Sequence, residues 1–217
     1  MKKSSLKVAV ILMILSFINQ VIAQKNKEIN LNFEWRFVKG EHPGAYKNDF
    51  DDSHWRLLYV PHDWSIEDLS EESGPYDITS EGQWDVGYTV GGRGWYRKTI
   101  ELDKINEGKI VHLQFDGVYM NADVWVNNYH VGSRAYGYST FWFDITPYVE
   151  FGKKNVIAVE VKNIGMNSRW YSGSGIFRPV SLRVLDKIHI SHWGTAVRTK
   201  KVSSSMAEVN IITNVNN

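Results

Sequence analysis

The stretch Ile29-Asn30-Leu31-Asn32-Phe33-Glu34-Trp35-Arg36-Phe37 alternates apolar and polar side chains without a break. A period of two puts Ile29, Leu31, Phe33, Trp35 and Phe37 on one face, as a half-buried β-strand requires. The same alternation predicts strands over Arg56–Val60, Trp95–Leu102, Lys109–Phe115, Ala122–Asn127, Thr140–Ile145, Asn155–Lys162 and Val180–Leu185. Asn127-Asn128 joins Val124-Trp125-Val126 to Tyr129–Gly132, and asparagine tolerates the positive φ of a tight hairpin turn. Helical periodicity never exceeds a turn or two. Many short strands between turn signals predict an all-β sandwich or barrel.

One connection departs from this rhythm. Ser65 to Gly94 is acidic and rich in Gly, Ser and Tyr. A connection of that length inside a domain tends to be functional or disordered. Its flanks, Pro61-His62-Asp63-Trp64 and Gly92-Arg93-Gly94-Trp95-Tyr96, carry aromatics, so the excursion is expected to be pinned at both ends. A second unit begins near Lys187, with a linker strand over Ile188–Trp193 and an alternating strand over Met206–Val215. A lone strand cannot bury its apolar face, so partner strands are expected downstream of Asn217.

The N-terminus reads as a secretory leader. Lys2, Lys3 and Lys7 precede an apolar run from Val8 to Ile18, and Val21-Ile22-Ala23 suits a signal peptidase. The run is shorter than the roughly 20 residues that span a bilayer. Removing this leader takes the net charge from +1 to −2. The expected organisation is a signal peptide over 1–23, a sandwich over 24–186 and the start of a second unit over 187–217. The chain is therefore expected to be periplasmic or secreted. It contains no cysteine, which excludes disulfides and a lipid anchor on cysteine. There is no basic stripe to suit a nucleic acid. The 9 Trp and 11 Tyr suit either strands or the stacking of sugar rings.

Catalytic constellations are scarce. No Gly-x-Ser-x-Gly elbow opens a helix, and Ser172-Gly173-Ser174-Gly175 reads as a turn. His189 and His192, three apart on a strand, point to opposite faces and predict no shared metal. Gly91-Gly92-Arg93-Gly94 lacks the following helix that a phosphate loop needs. Glycoside hydrolysis needs two carboxylates about 5 Å apart in retaining enzymes. The acids of the excursion, among them Asp63, Glu67, Asp77 and Asp85, read as a solvated face. No cofactor is implied.

Several motifs in order carry a resemblance. They are Asn32-Phe33-Glu34-Trp35-Arg36-Phe37, Val60-Pro61-His62-Asp63-Trp64, Gly94-Trp95-Tyr96-Arg97-Lys98, Phe115-Asp116-Gly117-Val118 and Ala122-Asp123-Val124-Trp125-Val126-Asn127. Gly137-Tyr138-Ser139, Phe143-Asp144-Ile145-Thr146 and Asn155–Val159 follow, and Ser168–Arg178 closes the set. Over roughly Asn26 to Leu185 the chain resembles the N-terminal sugar-binding domain of glycoside hydrolase family 2, in its β-galactosidase branch.

The resemblance implies a jelly-roll β-sandwich, then an immunoglobulin-like domain and a (β/α)₈ barrel that holds both catalytic glutamates. Those two domains need about 100 and about 250 residues, so neither glutamate has a counterpart here, and the chain alone is expected to be inactive. The resemblance also implies a rim that binds a terminal β-galactoside. Arg169 would bond sugar hydroxyls, Asp63 would accept from them, and Asn163 is a further candidate. Trp64, Trp170 and Tyr171 would pack the site or the seam to the barrel. The rival assignments are a free-standing carbohydrate-binding module or lectin, and a purely structural domain.

Overall fold

The structure, a computed structural model, describes residues 27–67, 76–165 and 173–217. The leader over 1–23 and the rim candidates Arg169, Trp170 and Tyr171 lie outside the described residues. Twelve strands are described: β1 Lys27–Asn30, β2 Trp35–Lys39, β3 Arg56–Leu58, β4 Gly92–Glu101, β5 Ile110–Phe115, β6 Ala122–Val126, β7 Tyr129–Arg134, β8 Phe141–Asp144, β9 Lys154–Asn163, β10 Val180–Leu185, β11 His189–Val202 and β12 Ala207–Asn216. The described helical turns are short 3₁₀ pieces, including Trp64–Ile66 and Gln83–Val86.

The strands form an antiparallel sandwich of a four-stranded sheet, order β1-β10-β5-β8, and a six-stranded sheet, order β3-β2-β4-β9-β6-β7. This is the jelly-roll sandwich expected from the resemblance. Strands β11 and β12 pair only with each other, as a separate hairpin.

The opening alternating stretch is two strands rather than one. β1 joins the four-stranded sheet and β2 the six-stranded sheet. Between them Asn30 Oδ1 accepts from the Asn32 amide at 2.7 Å, and Glu34 takes a left-handed φ of 57°. Asn32 Oδ1 in turn accepts from the Val180 amide at 2.8 Å. The chain thereby crosses between sheets, and Phe33, expected on the inner face, is 56% exposed. Its neighbours keep the reading: Leu31, Trp35 and Phe37 are buried.

The main core fills the space between the sheets, with Trp35, Tyr96, Val111, Leu113, Phe115, Val124, Ile157, Val159 and Leu182 among its members. The Asn127-Asn128 turn takes φ of 48° and 72°, two left-handed residues that match the right-handed twist of β6 and β7. A second, smaller cluster of Ala45, Trp55 and Trp95 lies with Tyr46 and Trp125 beneath the 40–55 loop.

Arg97 of β4 fastens that loop. Its buried guanidinium donates to Asp52 Oδ2 at 2.7 Å, to the Lys47 carbonyl at 2.9 Å and to the Ala45 carbonyl. Methionine at 97 preserves the stem but strands those acceptors, so Arg97→Met lowers stability by about 3 kcal/mol. A urea melt of the purified chain measures this, and an unchanged midpoint would remove the Arg97 tether from the account.

Candidate functional site

Two of the sequence-predicted rim residues come together at one end of the sandwich. Asp63 caps the Trp64–Ile66 turn: Oδ1 accepts from the Ser65 amide at 2.9 Å and the Ser65 hydroxyl at 2.6 Å. The same oxygen accepts from the Ser174 amide at 2.7 Å. Asn163, the last residue of β9, donates from Nδ2 to Ser174 Oγ at 2.8 Å. Ser174 is fully buried. It ties the 61–67 segment to β9 and to the chain that follows residue 172.

Backbone pairing reinforces this junction. The His62 amide donates to the Ile176 carbonyl at 2.7 Å, and the Trp64 amide donates to the Ser174 carbonyl at 2.9 Å. Tyr119 and Gly175 exchange a pair of amide–carbonyl bonds, each 2.9 Å. Trp64, expected to pack the site or the seam, is fully buried beneath the junction. Its ring stacks on Phe37 at 5.5 Å, and Nε1 donates to the Gly91 carbonyl at 2.9 Å. The long excursion is thus pinned where it leaves and where it returns, as its aromatic flanks predict. Asp77 of the excursion is a turn former, accepting from the Thr79 amide at 2.8 Å and hydroxyl at 2.7 Å.

Behind the junction runs a buried polar chain that sequence reasoning missed. His62 Nδ1 lies 2.6 Å from the Tyr96 hydroxyl, and His62 Nε2 lies 2.9 Å from Glu67 Oε1. Arg56 Nη2 donates to the same Glu67 oxygen at 2.5 Å. The Ile176 amide also bonds the Tyr96 oxygen. Tyr96 donating to Nδ1 and Nε2–H donating to Glu67 satisfy the first two contacts, while Arg56 Nη2, 2.8 Å from the same Nε2, is served by Glu67.

The electrostatics agree with that arrangement. Burial pushes Tyr96 well above its usual range and holds His62 below its own, so both are neutral at pH 7. Burial alone would raise Glu67, but hydrogen bonds from Arg56 and His62 and the charge of Arg56 hold it low and ionised. The motif Val60–Trp64 marked this segment in the sequence. Nothing local, however, showed that the imidazole faces a tyrosine 34 positions away.

One cluster imitates a hydrolytic triad. His130 Nε2 lies 3.0 Å from Asp123 Oδ1 and 3.3 Å from Ser133 Oγ. A single ring nitrogen meets both partners, so no proton relay runs through the imidazole, and Ser133 is not activated.

His189 and His192 depart from their expected opposite faces. A register shift between Ile190 and Thr195, with Trp193 at φ 52°, turns both rings toward His112 of β5. The ring centroids lie 5.9 and 6.3 Å from that of His112. Among the described residues no group of three or more His, Asp or Glu side chains is arranged to hold a metal ion.

A two-sheet antiparallel sandwich whose loops gather polar side chains at one end is the architecture of many sugar-binding modules. The family model described as "Glycosyl hydrolases family 2, sugar binding domain" matches residues 29–185. The chain belongs to glycoside hydrolase family 2, through this sugar-binding domain. It is 43% identical over 189 residues to the β-galactosidase BoGH2A of Bacteroides ovatus, covering 87% of this chain and 22% of that relative. A solved family 2 member from Bacteroides cellulosilyticus superposes with a TM-score of 0.83 at 44% identity, covering 87% of this chain and 24% of that one. A solved family 2 β-glucuronidase gives 0.79 at 29% identity, covering 89% and 22%. The chain thus spans about a quarter or less of the length of these relatives.

Proposed function

We propose that this chain is the N-terminal portion of an exported, retaining exo-glycosidase that acts on terminal β-galactosides. Its own task is to dock a downstream barrel and to shape the subsite for the non-reducing sugar. The leader over 1–23 directs export to the periplasm or beyond. The segment from 187 opens an immunoglobulin-like domain, and the barrel beyond it supplies the acid/base and the nucleophile.

The observation that carries this reading is the convergence of Asp63 and Asn163 on buried Ser174, in a family sugar-binding sandwich. The junction holds both ends of the segment with Arg169, Trp170 and Tyr171. In this reading the fixed fork of Arg169 donors bonds paired sugar hydroxyls. Asp63 and Asn163 are the further candidates for the sugar's hydroxyls, while Trp170 and Tyr171 pack against the sugar or the barrel. The relative named a β-galactosidase favours a galactoside over a glucuronide.

The second reading is a free-standing carbohydrate-binding module. The β11–β12 hairpin favours the first, because Ile190, Trp193, Val197, Ile211 and Val215 stand exposed on it, as strands awaiting partners would.

The decisive assay uses nitrophenyl β-galactoside and β-glucuronide. Residues 24–217 alone are expected to hydrolyse neither, and activity there, free of contaminants, would end the portion reading. In a version continued through the barrel, Arg169→Ala is expected to lower kcat/KM on the galactoside by about tenfold or more, the worth of a hydrogen bond to a charged donor. Unchanged kinetics would make Arg169 structural, and a preference for the glucuronide would overturn the substrate assignment. Calorimetric titration of 24–217 with free galactosides tests the lectin reading, for which clear binding is required.

A further inference from the structure

Among the described residues, neither strand of the β11–β12 hairpin pairs with a strand of the sandwich. Among the described residues its ring contacts and its side-chain hydrogen bond with the sandwich run through imidazoles. Arg183 of β10 bonds His192 Nδ1 at 2.9 Å. Trp142 of β8 packs against His112 at 4.4 Å and against His192 at 4.8 Å between ring centroids. His189 Nδ1 lies 2.7 Å from the Asp186 carbonyl, and its Nε2 lies 3.4 Å from Asn216 Nδ2. Strand β11 thus reaches the four-stranded sheet through rings that can each take up a proton.

We propose that His112, His189 and His192, with Trp142 and Arg183, form a clasp that holds the β11–β12 hairpin in a fixed orientation on the sandwich and releases it on acidification. The argument begins with the hydrogen bonds. A guanidinium only donates, so the 2.9 Å contact requires a bare, accepting Nδ1 on His192. Protonation replaces that bond with two donors and two positive charges at the same distance. His189 keeps a fixed tautomer: its Nδ1–H donates to the Asp186 carbonyl, and its Nε2 accepts from the Asn216 amide. Finally, His112 Nδ1 and His192 Nε2 are buried away from hydrogen-bond partners. An added charge there would find no hydrogen-bond acceptor at those atoms.

The surrounding charges do not reverse this. His112 is 3% exposed and stands opposite Asp144 of β8 in register, a carboxylate whose charge favours its protonation. Arg183 from β10, Lys187 from the linker, and His189 and His192 from β11 face it from the other sides. Asp186 is engaged by Lys109 at 2.5 Å. Burial pushes His112 down to about 4, with Asp144 only partly opposing, and burial with Arg183 also holds His192 below its usual range.

The sign follows. An undocked hairpin leaves His112 and His192 near the ordinary 6.5 of an imidazole. The docked form is therefore fully favoured above that pH and loses ground as pH falls from 6.5 toward about 4. For His112 alone the docked-to-undocked ratio drops about thirty-fold between pH 8 and pH 5.

The experiment uses the 217-residue chain, isotope-labelled for NMR. Backbone residual dipolar couplings of the hairpin and of the sandwich are expected to fit one alignment tensor at pH 7.5 and to need two at pH 5.0. His192→Phe keeps the ring contact with Trp142 but cannot be charged, and should hold the single tensor to lower pH. One tensor at both pH values, with the sandwich intact, would overturn the clasp. So would His112 and His192 ring resonances that titrate near 6.5. Arg183→Met gives an independent check that does not depend on the phenylalanine variant folding. Removing the cation should raise the His192 midpoint, and an unmoved midpoint would refute the role given to Arg183.

Discussion

Gly175→Ala is expected to destabilise the sandwich by about 4 kcal/mol, the sum of two independent penalties. The first is conformational. Gly175 sits at φ +136°, a backbone setting that L side chains rarely adopt. The second is steric. A Cβ at this position would fall 2.4 Å from the Tyr96 hydroxyl and 2.5 Å from the His62 carbonyl oxygen. Neither can retreat. Tyr96 is fully buried, with its hydroxyl at His62, and the His62 backbone is paired with Ile176. The two penalties can be separated with Gly108→Ala, where φ is +83° but the space around a Cβ is open. That control is expected to cost about 1 kcal/mol. Urea unfolding of the two variants reads the difference. Equal midpoints would show that the close packing behind the Asp63–Ser174 junction relaxes freely.

Trp64→Ala carries the other large effect, a loss of about 4 kcal/mol. The indole is fully buried, stacks on Phe37 and lies so close to Gly94 that a Cβ there would come within 2.7 Å of the ring. Truncation leaves a cavity that β2, β4 and the 61–67 segment cannot close together, because β2 and β4 are paired in the sheet. It also removes the 2.9 Å bond to the Gly91 carbonyl that pins the returning excursion. Trp64→Phe keeps most of the packing and loses the bond, so it should cost about 1 kcal/mol plus a modest repacking term. Amide exchange around Thr89–Gly92 should rise in both variants. A phenylalanine variant as damaged as the alanine one would mean that the bond, rather than the ring, holds the site's floor.

The two variants probe the same end of the molecule from different depths, and that end was only partly legible in the sequence. The resemblance points there through the Val60–Trp64 motif and Asn163, and Asp63 and Asn163 both bond Ser174. By sequence Ser174 is one residue of a turn, because a serine among glycines signals nothing more. Its role depends on a carboxylate 111 positions away. His62 was hidden for a similar reason. An imidazole beside Asp63 and Trp64 gains its meaning only from Tyr96 and Glu67.

The sequence by itself determined the strand content, the two-layer class and the place of the chain in its family. Alternation is a local property: Val180–Leu185 and Ala122–Val126 bury every second residue because a pleated strand has two faces. The Asn127-Asn128 turn was legible because its φ values are a property of the residues themselves. Tertiary structure decided what alternation cannot encode, namely which sheet each strand joins and which distant groups share a proton or a charge. Unbroken alternation from Ile29 to Phe37 conceals a crossing between sheets at Glu34, because a period of two records faces and not partners. Three residues of spacing separate His189 from His192, and the bulge between them brings both onto one cluster. The common cause is pairing with distant strands, which sets register, bulges and sheet membership through hydrogen bonds that no local window contains.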